Sequence, residues 1–225
     1  MKVLVACEES QRVCKEFLEL GHDAYSCDIK KTSGGVPKRH ILMDAIAVIN
    51  GGQMRLQTGQ QIFIDRWDMI IAHPPCTFLT NVATGSHSVN KVPVNWINAR
   101  TEQRIEAMRF FMKFVFANCD RIAIENPVGI MSTVYRKPDQ IIQPWQFAED
   151  ETENVTKATC LWLKNLPQLI FDPFRRKPEP GRFGMHPSGK FKVWEELVSV
   201  DRETIRSKTF NGIAKAMAEQ WGGLT

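Results

Sequence analysis

At 225 residues, 43% hydrophobic and 24% charged, the chain has the length of one ordinary domain and a composition that excludes disordered and fibrous proteins. A formal net charge of +4 leaves polyanions open as partners and favours them only mildly. No apolar run approaches a membrane span, the N-terminus MKVLVACEES has no signal-peptide pattern, and the six cysteines form no CxxC pairs. A cytoplasmic protein with no membrane anchor, disulfide framework or metal site is therefore expected.

In chain order, Lys2 to Cys7 is a short apolar run of β-formers, and Val13, Phe17 and Leu18 follow at helical spacing before Gly21. Asp23 to Asp28 reads as a second strand ending on a carboxylate. Strand, helix and strand within about thirty residues imply a parallel pair with a crossover helix. Ile41 to Asp44 is a very short third strand candidate, and the glycine-punctuated residues 50–65 suggest a polar excursion or small hairpin. Trp67 to Ala72 is a buried strand that runs into His73-Pro-Pro-Cys76. A polar loop from Asn81 to Asn98 precedes an amphipathic helix from Glu102 to about Ala117, with Ile105, Met108, Phe111, Met112 and Val115 on one face. Arg121 to Glu125 is another buried strand and leads into Asn126-Pro127. Beyond it, Thr159 to Leu163 is a strand candidate, Pro167 to Gly189 is rich in proline and basic residues, and Gly212 to Trp221 is a closing helix.

This alternation predicts an α/β fold, a doubly wound and mostly parallel sheet in a single domain spanning 1–225, in which ligands bind beyond the carboxyl ends of the strands. Those ends carry Glu8, Asp28, Asp44, Cys76 and Glu125. A cysteine after two prolines sits on stiff backbone, because each proline fixes its own φ and restricts the residue before it. Its thiolate is a soft nucleophile suited to an electron-poor ring carbon, and a carboxyl at Glu125 is placed to protonate a ring nitrogen. Taken singly, Pro-Pro-Cys also reads as a plain turn with a buried thiol, and Glu125 as a surface carboxylate paired with a base.

Together, Pro74-Pro75-Cys76 and Glu125-Asn126 resemble the catalytic pair of DNA cytosine-5 methyltransferases. Across nearly the whole chain, ACEES, AHPPCT, IENPVGIMST and SKT-GIAKAMAEQWG are similar in order to blocks of the small methyltransferase-like proteins encoded by phages and prophages. The resemblance implies a Rossmann-like, S-adenosylmethionine-dependent methyltransferase acting on DNA in the cytoplasm of a bacterial host. Cys76 would add to C6 of cytosine, and Glu125, with Asn126 beside it, would hold and protonate the ring nitrogen. C5 would then take the methyl group. Ala6, Cys7, Glu8 and Ser10 occupy the turn that wraps the methionine moiety, with Pro74 on the same cofactor side. Asp28 matches the acidic residue on the ribose, and Asp44 would accept from the adenine amino group or simply cap the helix that follows.

Three departures shape the expectation. The first turn lacks the family's glycines. The family's arginine-bearing strand is replaced by Thr156 to Leu163, where Lys157 is the nearest cation. The target-recognition domain is reduced to a small, loop-rich basic insert over 167–207, with Arg175, Arg176, Lys177, Arg182, Lys190 and Lys192 interleaved with Phe174, Phe183 and Phe191. Such a mixture suits phosphates and stacked bases, as a solvated basic loop would also look, and implies poor sequence specificity and a preference for single-stranded DNA. The competing readings are the same chemistry with another donor or a free nucleotide acceptor, an amino-methyltransferase, which His73 and Cys76 fit badly, and a catalytically inactive binding protein on a methyltransferase-derived fold.

Overall fold

The structure, a computed structural model, describes residues 1–80, 94–179 and 208–224. In chain order the main elements are β1 (Lys2–Ala6), α1 (Arg12–Glu19), β2 (Asp23–Asp28), β3 (His40–Leu42), β4 (Gly52–Arg55), β5 (Gln61–Ile64), β6 (Met69–Ala72), α2 (Val94–Val115), β7 (Arg121–Pro127), α3 (Met131–Val134), β8 (Gln140–Ile142), β9 (Thr159–Lys164) and α4 (Asn211–Gly222). Seven strands form one sheet in the order β3-β2-β1-β6-β7-β9-β8. The first five are mutually parallel, and β9 runs antiparallel to both β7 and β8. The result is an α/β fold on a mostly parallel, mixed sheet. Strands β4 and β5 form the separate small hairpin expected for residues 50–65.

Central strands are buried from end to end because both faces of the sheet are covered, as in β6, where all four residues are inaccessible. Alternation sorts the side chains. Val3 and Val5 meet Val13 and Phe17 of α1 and Ile213, Met217 and Trp221 of α4 on one face, while Leu4 and Ile70 meet Phe111 and Phe114 of α2 on the other. Helix α4 is anchored at its start by Glu153, whose two carboxylate oxygens accept from the Asn211 and Gly212 amides at 2.6 and 2.9 Å. No helix among the described residues is long and apolar enough to cross a membrane.

The structure differs from the sequence reading at several boundaries. Helix α2 begins at Val94, not Glu102, because residues 98–104 are polar but for Ala99 and break the apolar periodicity that marks the rest of the helix. Its buried face centres on Phe111 and Phe114, whereas Ile105 is 38% exposed. Strand β7 runs on through Pro127, since β9 pairs with Glu125, Asn126 and Pro127 in turn, so Glu125 lies inside the strand. Strand β8 and the single-turn α3, each under five residues, are elements that periodicity does not reveal.

Candidate active site

The strand order reverses direction between β1 and β6, and a crevice opens at such a point beyond the carboxyl ends. Because β3, β2, β1, β6 and β7 are parallel, the segments bearing Asp44, Asp28, Glu8, Cys76 and Glu125 leave the sheet at one edge. The ladder continues past the strands there: the His73 amide donates to Ala6 O at 2.9 Å and the Glu8 amide to Cys27 O at 3.1 Å.

Cys76 is half-buried at the head of a tight turn, with its carbonyl accepting from the Leu79 and Thr80 amides at 2.9 and 3.2 Å. This turn is tied to the exit of β7. The Asn126 side chain, 2% exposed, donates to Pro74 O at 2.7 Å. The Ile130 amide donates to Leu79 O at 2.8 Å, and Thr80 bridges Gly129. Gly129 permits that approach, because a Cβ there would lie 2.0 Å from Leu79 O. Asn126 thus positions the cysteine-bearing loop. Pro74 is buried under the same tie, and Pro75 is exposed on the outside of the turn.

Glu125 has a partner that sequence reasoning missed. His73 Nδ1 lies 2.8 Å from Glu125 Oε2, with the side chains only 8% and 16% exposed. Burial pushes the His73 imidazole down, but the hydrogen bond and charge of Glu125, with Glu8 behind it, outweigh burial and hold it above its ordinary value. Burial likewise pushes Glu125 up, and the His73 hydrogen bond and charge, helped by Lys157, bring it below. Both shifts favour an imidazolium paired with a carboxylate. His73 Nε2 is buried with no hydrogen-bond partner. The pairing follows from strand register, which only the fold supplies: Ala72 pairs with Ile124, so the next residue on each strand brings His73 beside Glu125.

On the other side of the crevice the polar groups serve the fold. Glu8 is 4% exposed, and its two oxygens accept from the Val13 and Cys14 amides at 2.6 and 3.2 Å, capping α1. Burial raises its carboxyl above the ordinary range, against the pull of His73 and those amides. Asp44 accepts from the Ile46 amide at 2.9 Å, the capping role that was its simpler reading. Asp28 accepts from the Lys30 amide at 2.8 Å and is otherwise open to the edge. Cys7 takes the left-handed conformation, φ 59°, so the first turn bends tightly without the glycine. Its thiol is pushed well up by burial and then by the nearby charges of Asp28 and Asp44, which brings these three residues around one region of the crevice. Ala6 is fully buried at the end of β1, and Ser10, 8% exposed, lies against Gly34.

Of the basic residues, Lys157 reaches the site: its charge acts on both His73 and Glu125, and its ammonium lies 5.7 Å from the Phe210 ring centroid. Arg175 donates to Ala148 O, and Arg176 and Lys177 are exposed. Arg182, Lys190, Lys192, Phe183 and Phe191 lie outside the described residues. No group of three or more metal-ligating side chains occurs among the described residues. No protein-family model matches the chain, and no curated protein matches it.

Proposed function

We propose that the protein transfers a methyl group from S-adenosylmethionine to C5 of cytosine in DNA through a covalent Cys76 adduct. The observation that carries this reading is that, beside the strand-order reversal, a cysteine on a braced Pro-Pro turn leaves the same sheet edge as a buried carboxylate whose oxygen lies 2.8 Å from a histidine ring nitrogen. A plain turn needs neither the brace nor the pair.

The steps follow from these groups. The Cys76 thiolate forms a bond to C6 while the proton shared by His73 and Glu125 passes to the ring nitrogen, which keeps charge from building on the ring. With S-adenosylmethionine bound, C5 would take its methyl group and leave the neutral thioether. Loss of the C5 proton to solvent would then re-form the C5–C6 double bond, expel the thiolate and return the ring-nitrogen proton to the His73–Glu125 pair. Lys157 supplies positive charge beside the pair, the part given to arginine in the family that the sequence resembles.

The residues around Cys7 fit the sulfonium cofactor in part: the tight turn and the open carboxylate of Asp28 suit a backbone wrap and ribose hydroxyls, and Asp44 lies close by. Bound there, S-adenosylmethionine would supply an electrophilic methyl group to C5. The Glu8 carboxylate, committed to α1, takes no contact with it. That commitment favours a second reading, the same covalent addition to cytosine with a different donor. A base stacked in a duplex is out of reach of Cys76, so single-stranded DNA is the readier substrate.

The test is transfer of tritium from methyl-labelled S-adenosylmethionine to a cytosine-containing single strand. Wild type is expected to label it and Cys76→Ser to leave it unlabelled. Labelling by Cys76→Ser at the wild-type rate would sink the covalent mechanism. An adduct without label would point to the second donor.

A further inference from the structure

Arginine side chains converge on the far side of the Cys76 turn, where the mechanism has no use for them. Arg100 and Arg104 are one helical turn apart on α2, so their charges lie on one face. The Arg100 guanidinium stacks over the Trp96 and Phe78 rings, 4.8 and 5.2 Å from their centroids, and its Nε is buried without a hydrogen-bond partner. Arg104 Nε donates to Phe78 O at 3.0 Å, while its Nη2 is buried and unpartnered. Burial and then the Arg100 charge push Arg104 below its ordinary value. No ion pair involving either is found among the described residues. Two like charges one turn apart, with no ion pair to either among the described residues, are costly for the protein alone, and an anion at the remaining guanidinium N–H groups would offset them.

We propose that Arg100 and Arg104, with Phe78 and Trp96, form a subsite for a nucleotide phosphate next to the base held at Cys76. Phe78 is two residues from Cys76 and ties the subsite to the reacting group. Trp96, 39% exposed, offers an indole to a neighbouring base. A guanidinium fixed between aromatic rings presents its donors in a set direction, which suits phosphate oxygens. The subsite deepens the cytosine reading, on which its placement rests. The phosphate is either the diester of a polynucleotide or the monoester of a free nucleotide.

Binding, measured without any donor, separates this claim from the transferase claim. The probe is a fluorescein-labelled single-stranded hexadeoxynucleotide with one cytosine, read by anisotropy from 50 to 300 mM salt as an arbitrary working range of about that width. Arg100→Gln and Arg104→Gln are each expected to weaken binding about tenfold and to reduce the log–log salt slope by about 0.7, the value for one phosphate of a single strand. Trp96→Ala should weaken binding about tenfold with the slope unchanged. Arg100→Lys and Arg104→Lys should restore the slope. Unlabelled dCMP competing as well as the hexamer assigns the phosphate to a free nucleotide, and a much tighter hexamer assigns it to the strand backbone. Unchanged slopes in both Gln variants with wild-type circular dichroism would overturn the subsite, as would absence of binding by the wild type. Binding as expected without methyl transfer would leave the subsite standing and remove the transferase reading.

Discussion

The two sides of the crevice are built differently. On the β1–β3 side the polar side chains work for the fold: Glu8 caps α1, Asp44 caps a turn, and Gln11, Ser26 and His40 form a buried network with bonds of 3.1 and 2.8 Å. On the β6–β7 side the backbone is braced by Asn126 and Gly129, and side chains are left with unfilled capacity, as at His73 Nε2. Groups that are fully satisfied within a fold stabilise it, whereas groups held rigidly but unsatisfied are available to a ligand. Under the proposed function, this difference would put the chemistry on the β6–β7 side and leave a lighter role, donor binding, to the other.

The comparison is tested most severely at the proton. Glu125→Gln keeps the shape and loses the shared proton, so the transfer rate should fall by about two to four orders of magnitude with near-normal DNA affinity. A loss below threefold would move the acid elsewhere. Gly129→Ala comes next. Its Cβ has to displace Leu79 O, and a shift of about an ångström in the Cys76 turn should slow transfer about 100-fold, with a lower melting temperature. An active, equally stable Gly129→Ala protein would show that the turn is not braced as described.

The pair also makes stability depend on pH. His73, raised above its ordinary 6.5, contributes stability that is full below that value and is lost as pH rises through the higher folded value. Glu125, held below its ordinary 4.5, contributes stability that is full above that value and is lost as pH falls through the lower folded value. The difference in unfolding free energy between wild type and His73→Asn should therefore be greatest between pH 4.5 and 6.5 and should shrink on either side. A difference that is flat across both limits would mean that the two groups are not paired as ions.

The smallest effects should separate the two kinds of polar residue across the crevice. Glu8→Gln should lower stability by about 1–2 kcal/mol through the cap, and leave donor affinity within about twofold. Asp28→Ala should do the reverse, weakening S-adenosylmethionine binding about tenfold by calorimetry with an unchanged melting temperature. Equal behaviour of the two variants would erase the distinction.

Much of this was legible in the sequence because the strong signals were local. Strand β2 falls on Asp23 to Asp28 as its residue pattern predicts, and β1, β6 and α4 lie within a residue or two of their expected ends. The strand-end logic also placed Cys76 and Glu125 at one edge. What stayed hidden depends on contacts distant in sequence. The His73–Glu125 bond spans 52 residues and needs the register of two strands. Glu8 offered a carboxylate in the right turn, but whether it faced a ligand or α1 depended on the left-handed Gln11 that begins the helix. The early start of α2 precedes a polar stretch, and the Arg100–Trp96 stack within it is a contact that apolar periodicity does not register.

The most direct measurement of the central claim is mass spectrometry of the protein incubated with S-adenosylmethionine and a single strand carrying 5-fluorocytosine, in which fluorine blocks the final release. The account predicts a stable adduct whose mass is protein plus methylated strand, mapped to the peptide containing Cys76 and absent from Cys76→Ser. Methyl transfer to ordinary cytosine with no such adduct, or an adduct on another cysteine, would contradict it.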